Sequence, residues 1–224
     1  MKYYLIHGVD YSREPRMINE FLKANIPLDD VTWIRSHNKD TLTYGLVNQI
    51  VMQNESTSCG IPIAAGCPNL RAGQISCTFK HYLALEDIVK NNHPYAVIME
   101  DNIFFNGNVS SRIDTYVQQL NSMYPNWDIL FDSNWKPYPE GPTQDGLFVY
   151  PKSNEINQYG HGGTRCAQFY LLTQSCAKKL YENYIPFNNA PDWWMNDLFR
   201  SLDIRSFWSE PSIADVFPHV STAN

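Results

Sequence analysis

The chain has 224 residues, 43% hydrophobic and 14% aromatic, with a net charge of −6. This is enough to build one large domain with a full core, and the acidic balance argues against a nucleic-acid-binding surface. No stretch approaches the ~20 apolar residues that span a bilayer. Residues 1–14 also lack the apolar run of a signal peptide, so a cytoplasmic or otherwise intracellular location is expected.

In chain order, Tyr3 to His7 reads as a first strand. Glu14 to Asn25 follows as a helix with Met17, Ile18, Phe21 and Leu22 at core-facing spacing. Val31 to Arg35 is a short second strand, and Thr41 to Val51 is ambiguous. Glu55 to Asn69, rich in Ser, Gly and Pro, reads as an irregular loop. Cys59 and Cys67 flank its Gly/Pro-rich part and are candidates for a bridge or a metal. The five cysteines contain no CxxC pair, so reduced thiols are the default. Ala72 to Asn91 carries the clearest helical pattern, with Ile75, Phe79, Leu83 and Ile88 on one side. A strand starting after Pro94 and ending at Met99, a helix near Arg112 to Met123 and a strand Asp128 to Phe131 come next. Asn134 to Arg165 is a long Pro-, Gly- and Tyr-rich segment without periodicity, the kind of loop that often carries function. Its Tyr159 to Gly163 is read as an acceptor-side loop and not as a phosphate-binding fingerprint. Ala167 to Leu172 is a strand, Gln174 to Tyr184 and Asp192 to Ser201 are helices, and Ile204 to Trp208 is a last strand. Strands alternating with helices imply a mainly parallel α/β sheet, and the absence of a linker or repeat favours one domain over 1–224.

Within this order, Tyr95 to Phe105 is the stretch that points to chemistry. A buried-strand run stops at Glu100, Asp101 and Asn102, and apolar residues resume at once. In open α/β sheets, ligands sit beyond the carboxyl ends of the strands. Two carboxylates and a carboxamide there are costly to bury unpaired, and a hard divalent ion with oxygen ligands would satisfy them. A solvated turn or a helix N-cap is the alternative reading.

The order of motifs resembles family 25 glycosyltransferases, the group of bacterial lipooligosaccharide galactosyltransferases and animal collagen galactosyltransferases. The resemblance is carried by Tyr3-Leu5-Ile6 with Arg13 and Arg16, by the segments Leu70 to Cys77 and His81 to Glu86, and by Ala96 to Asn102. Trp127 to Phe131, Thr164 to Leu180, Pro191-Asp192-Trp193-Trp194 and Trp208-Ser209-Glu210-Pro211 extend it over nearly the whole chain. Two positions depart from the family pattern: Asn102 replaces a second aspartate of the metal motif, and Lys80 replaces the serine before His81. Lys80 is read as lying on a solvated helix face, with a diphosphate contact as its alternative.

The resemblance implies a single-domain, GT-A-like (Rossmann-like) nucleotide-sugar transferase fold with a mainly parallel sheet and helices on both faces. It implies inverting, divalent-metal-dependent transfer of a hexose from a UDP-sugar to a hydroxyl acceptor, either a glycan or hydroxylysine of a collagen-like protein. Mn²⁺ or Mg²⁺ would be held by Asp101, Asn102 and His219, and the donor by Arg13, Arg16, His81 and Glu100. Asp192, set among aromatic residues, would be the catalytic base, with an ordinary helix N-cap as its structural alternative. Asp128 ranks lower, as a structural acid. A UDP-sugar-binding protein without activity is the competing reading, and Asn102 is its main support.

Overall fold

The computed structural model describes residues 1–52, 70–132, 146–155 and 167–217. Along the chain lie β1 (Lys2–Ile6), α1 (Glu14–Lys23), β2 (Val31–Ile34), α2 (Tyr44–Ile50), α3 (Ala72–Lys90), β3 (Tyr95–Glu100) and β4 (Ile103–Phe105). These are followed by α4 (Val109–Met123), β5 (Ile129–Asp132), β6 (Phe148–Pro151), β7 (Phe169–Thr173), α5 (Gln174–Asn183), α6 (Pro191–Ser201), β8 (Ser206–Glu210) and β9 (Ala214–Val216). Seven strands form one sheet in the order β2-β1-β3-β7-β5-β8-β6, and β4 pairs with β9 in a small ribbon. The pairings make β1, β2, β3, β5 and β8 run one way, with β7 and β6 opposed. The sheet is mixed and mostly parallel, as expected.

Both faces of the sheet are buried, which explains why the strands read as continuous apolar runs. Period-two alternation sends Tyr4, Ile6, Ala96 and Ile98 to a core shared with α2, α3, α5 and α6. Tyr3, Leu5, Val97 and Met99 point the other way, against α1 and α4. Helix starts are capped as their sequences suggest: the side chains of Thr43, Asn108 and Thr173 each accept a backbone N–H from the first turn of α2, α4 and α5. No described helix is long and apolar enough to cross a membrane.

Several expectations need correction. In α1, Met17 and Phe21 are fully buried, but Ile18 and Leu22 are 37% and 60% exposed. The helix therefore buries a narrower stripe, continued by Ala24, than four core positions would require. The ambiguous Thr41 to Val51 contains α2, and the long irregular segment contains β6, an edge strand on β8. β4 and β9 are strands of only three residues each, too short for a period to show. The loop Glu55 to Asn69, with Cys59 and Cys67, lies outside the described residues, as do Cys166 and Tyr159 to Gly163. Cys77 and Cys176 are free thiols.

Candidate active site

β1 and β3 are parallel neighbours, with Ile6 in register with Glu100. The residues just beyond their ends, His7-Gly8 and Asp101-Asn102, therefore lie side by side, and the Asp101 N–H donates to the Ile6 carbonyl at 3.2 Å. This is the carboxyl-end crevice in which α/β sheets bind ligands.

Asp101 is almost fully buried, and both of its carboxylate oxygens are engaged. Oδ1 accepts from Arg13 Nη1 at 2.6 Å. Oδ2 accepts from the Gly8 N–H at 2.9 Å and lies 2.8 Å from His7 Nδ1. Burial by itself raises this carboxyl, but the hydrogen bonds from His7 and Gly8 and the Arg13 charge outweigh it and hold it below the usual carboxylate range. Arg16 reaches the same place from the next turn of α1: its Nη2 donates to the Asp101 carbonyl at 2.6 Å and its guanidinium stacks 4.1 Å from the Phe217 ring. The Phe217 N–H in turn donates to the Asn102 carbonyl at 2.8 Å. The Asn102 side-chain oxygen is buried and has no hydrogen-bond partner among the described residues.

His7, Gly8, Arg13, Asp101 and Asn102 line a cavity of about 100 Å³, together with Asn38, Cys77, Lys80 and Glu100. That is well below the roughly 300–1,000 Å³ of drug-sized ligand sites, so the enclosed part matches an ion or a phosphoryl group. Lys80 corrects the sequence reading, because it is buried and not on a solvated face. Its Nζ donates to the His7 carbonyl and to Asn38 Oδ1, both at 2.5 Å. Burial pushes its ammonium down to about 8. The cavity lining thus combines two cations, Arg13 and Lys80, with the strand-end acids Glu100 and Asp101.

On the α3 side, Glu100 Oε1 lies 3.6 Å from His81 Nε2 and 3.7 Å from Cys77 Sγ. His81 is fully buried; its Nδ1 lies 2.8 Å from the Tyr170 hydroxyl. Asp192 is the second residue of α6, after Pro191 and with Ala190 in the capping position. The simple N-cap alternative is therefore not what the structure shows. Burial, and then the charge of Glu100, push its carboxyl up to about 7 against the pull of the Asp192 and Trp193 N–H groups. The neighbouring Trp193 is 43% exposed. Asp128 is structural as read: it is buried, accepts from the Arg205 N–H at 2.9 Å and pairs with Lys179 at 3.1 Å.

The structure thus gathers Arg13, Arg16, Glu100, Asp101 and Asn102 at one crevice, with His81 beside Glu100 and Asp192 within reach of its charge. His219 lies outside the described residues. The sequence reading missed His7, Asn38 and Cys77, and it placed Lys80 here only as the alternative to a solvated face. The strand-end rule, applied to β1 as it was to β3, would have found His7. Cys77 carried its own signal, standing four residues before His81 on one helix.

The family described as Glycosyltransferase family 25 (LPS biosynthesis protein) matches residues 8–195. Procollagen galactosyltransferase 1 of Danio rerio is 23% identical over 149 residues, covering 63% of this chain and 25% of that protein. The chain therefore spans about a quarter of the length of the curated relative it matches. Among solved structures, A197 from STIV superposes with a TM-score of 0.48 at 7% identity, over 97% of this chain and 86% of that one. Mouse xyloside xylosyltransferase 1 in its apo form superposes with a TM-score of 0.38 at 10% identity, over 91% of this chain and 70% of that one.

Proposed function

The chain belongs to glycosyltransferase family 25, and on that premise we propose that it transfers a hexose from a UDP-sugar to a hydroxyl acceptor with inversion. Residues 1–224 would act as one catalytic domain. The acceptor would be a glycan or hydroxylysine of a collagen-like protein, the second suggested by the name of the zebrafish relative.

The observation that carries the reading is the buried Asn102 oxygen, without a hydrogen-bond partner among the described residues, in a crevice that also holds Glu100, Arg13 and Lys80. A buried amide oxygen without a partner is costly, and a hard divalent cation such as Mn²⁺ or Mg²⁺ would satisfy it. Asn102 offers the kind of oxygen donor such ions prefer. When bound, the ion supplies Lewis-acid stabilisation of the charge on the departing diphosphate. Asp101 adds its negative charge from close by, its own oxygens being engaged, and His219, two residues beyond Phe217, would complete the set.

The remaining roles fall to the protein's own groups. Arg13, Arg16 and Lys80 would hold the diphosphate, and Glu100 with His81 would orient the donor. Asp192 would take the proton of the acceptor hydroxyl while Trp193 offers a flat apolar face to a sugar ring. A second reading, a UDP-sugar-binding protein without turnover, is favoured by the loss of one ligand charge at Asn102. UDP release that fails to appear with any acceptor, despite donor binding, would select it.

Two expected results test the site. UDP should bind more tightly with Mn²⁺ present, and at about 100 times its dissociation constant it should stabilise the fold by roughly 2.7 kcal/mol. A thermal-shift titration reads this, and equal UDP affinity with and without metal would remove the metal from the site. Asn102→Asp restores a charged ligand and should tighten Mn²⁺ binding several-fold, measured by calorimetry. Weaker binding in that variant would show that Asn102 is not a ligand.

A further inference from the structure

We propose that Cys77, His81 and Glu100 form a second cation site, built for a borderline ion such as Zn²⁺. Cys77 and His81 are four residues apart on α3, so their side chains leave the same face of the helix. The i, i+4 pair is a spacing zinc proteins use on helices. Glu100, the last residue of β3, faces both from the sheet.

The geometry is close to that of a bound ion. Zinc–sulfur bonds of about 2.3 Å and bonds to nitrogen or oxygen of about 2.0–2.2 Å, at tetrahedral angles, set ligand–ligand separations of roughly 3.3–3.6 Å. Glu100 Oε1 is 3.6 Å from His81 Nε2 and 3.7 Å from Cys77 Sγ, and all three ligand atoms lie within 4.8 Å of one another.

The independent observation is His81 itself. It is fully buried, and its Nε2 has no hydrogen-bond partner among the described residues. Nδ1 lies 2.8 Å from the Tyr170 hydroxyl, and the two rings stack 17° from parallel. With the proton on Nδ1 donated to that hydroxyl, the Nε2 lone pair faces Cys77 and Glu100. Metal-binding histidines are oriented in this way, through a hydrogen bond from their other nitrogen. Glu100 Oε1 faces His81 Nε2 at 3.6 Å, within ion-pair range but beyond hydrogen-bond distance, and a bound ion would engage both atoms.

The donor set separates this site from the strand-end oxygens of Asn102. Thiolate and imidazole select Zn²⁺, whereas Mg²⁺ and Mn²⁺ prefer oxygen. Binding displaces the thiol proton to solvent, and a thiolate plus a carboxylate balance the two positive charges. Cys77 and Glu100 line the cavity, so the ion has an entry path, and with three protein ligands its fourth position falls to water.

The test uses Co²⁺ as a spectroscopic stand-in on the chelator-treated full chain. We expect one thiolate-to-cobalt charge-transfer band, with the visible absorption of tetrahedral cobalt, and its loss on adding Zn²⁺. Cys77→Ser should abolish the band, while replacing Cys59, Cys67 and Cys166 together should leave it. Tyr170→Phe, which keeps the ring and removes only the supporting hydroxyl, should weaken Zn²⁺ binding by about 10–100-fold. Thermal melts establish that each variant is folded. The site is overturned if folded wild-type protein shows no thiolate band, if the band survives Cys77→Ser, or if Tyr170→Phe binds Zn²⁺ as the wild type does.

Discussion

Asp192→Asn is expected to lower glycosyl transfer by about 10²–10⁴-fold, the usual contribution of a positioned general base. Donor binding should stay near the wild-type level, because the residues assigned to the donor lie on β3, α3, α1 and the β1–α1 segment, not on α6. The amide keeps the size of the side chain and an oxygen to accept the Asp192 and Trp193 N–H groups. It loses only the ability to take a proton. Turnover within a few-fold of wild type, at saturating acceptor, would move the base elsewhere.

Two pH experiments separate a base from a structural carboxylate. Burial and the Glu100 charge raise the Asp192 carboxyl to about 7. Only the ionised form is a base, so transfer should rise as pH increases through about 7 and flatten above it. The stability effect has the opposite sign. A carboxyl whose folded value lies above its unfolded value of about 3.9 favours the native state when protonated, so its contribution declines as pH rises from about 4 to 7. Asp192→Asn removes that decline and should raise the melting temperature relative to wild type at pH 8, with little difference at pH 4. A variant less active yet more heat-stable at pH 8 is the signature of a group kept for chemistry.

The framework was legible in the sequence where the physics is local. Continuous apolar runs such as Ala96 to Met99 announce strands buried on both faces, and the break at Glu100-Asp101-Asn102 marks a strand end facing a crevice. What the sequence concealed depends on partners distant along the chain. Asp101 reads as a free ligand, but its oxygens are taken by residues 88 to 94 positions earlier. Lys80 reads as solvated because lysine usually is, and its burial is offset by the His7 carbonyl at the β1 end, by Asn38 and by the nearby Asp101 charge. β6 was hidden for a related reason: its residues, Phe148 to Pro151, sit on an edge and end in proline, so neither alternation nor a central-strand composition reveals it.

The buried Arg13–Asp101 pair carries the largest expected effect on stability. Side chains of both residues are more than nine-tenths buried, and their contact at 2.6 Å joins the β1–α1 segment to the end of β3. Arg13→Met fills similar volume without charge and leaves the carboxylate with His7 and the Gly8 N–H. Breaking a buried pair from one side typically costs about 3–5 kcal/mol. The Arg13 contact to the 41%-exposed Asp10 at 3.2 Å adds little by comparison. The double variant Arg13→Met/Asp101→Asn should recover part of the loss, since a neutral amide needs no counter-ion; chemical denaturation of all four proteins gives the coupling. The pH dependence has a definite sign. Asp101 is held below its ordinary value, so it stabilises the native state above the unfolded carboxyl value, and this contribution fades as pH falls through the lower folded one. Without Arg13, burial is opposed by fewer partners and the carboxyl rises, so acid unfolding of Arg13→Met should begin at higher pH than in wild type. A loss below about 1 kcal/mol, with an unchanged acid transition, would mean that water already reaches this pair and that it does not organise the crevice.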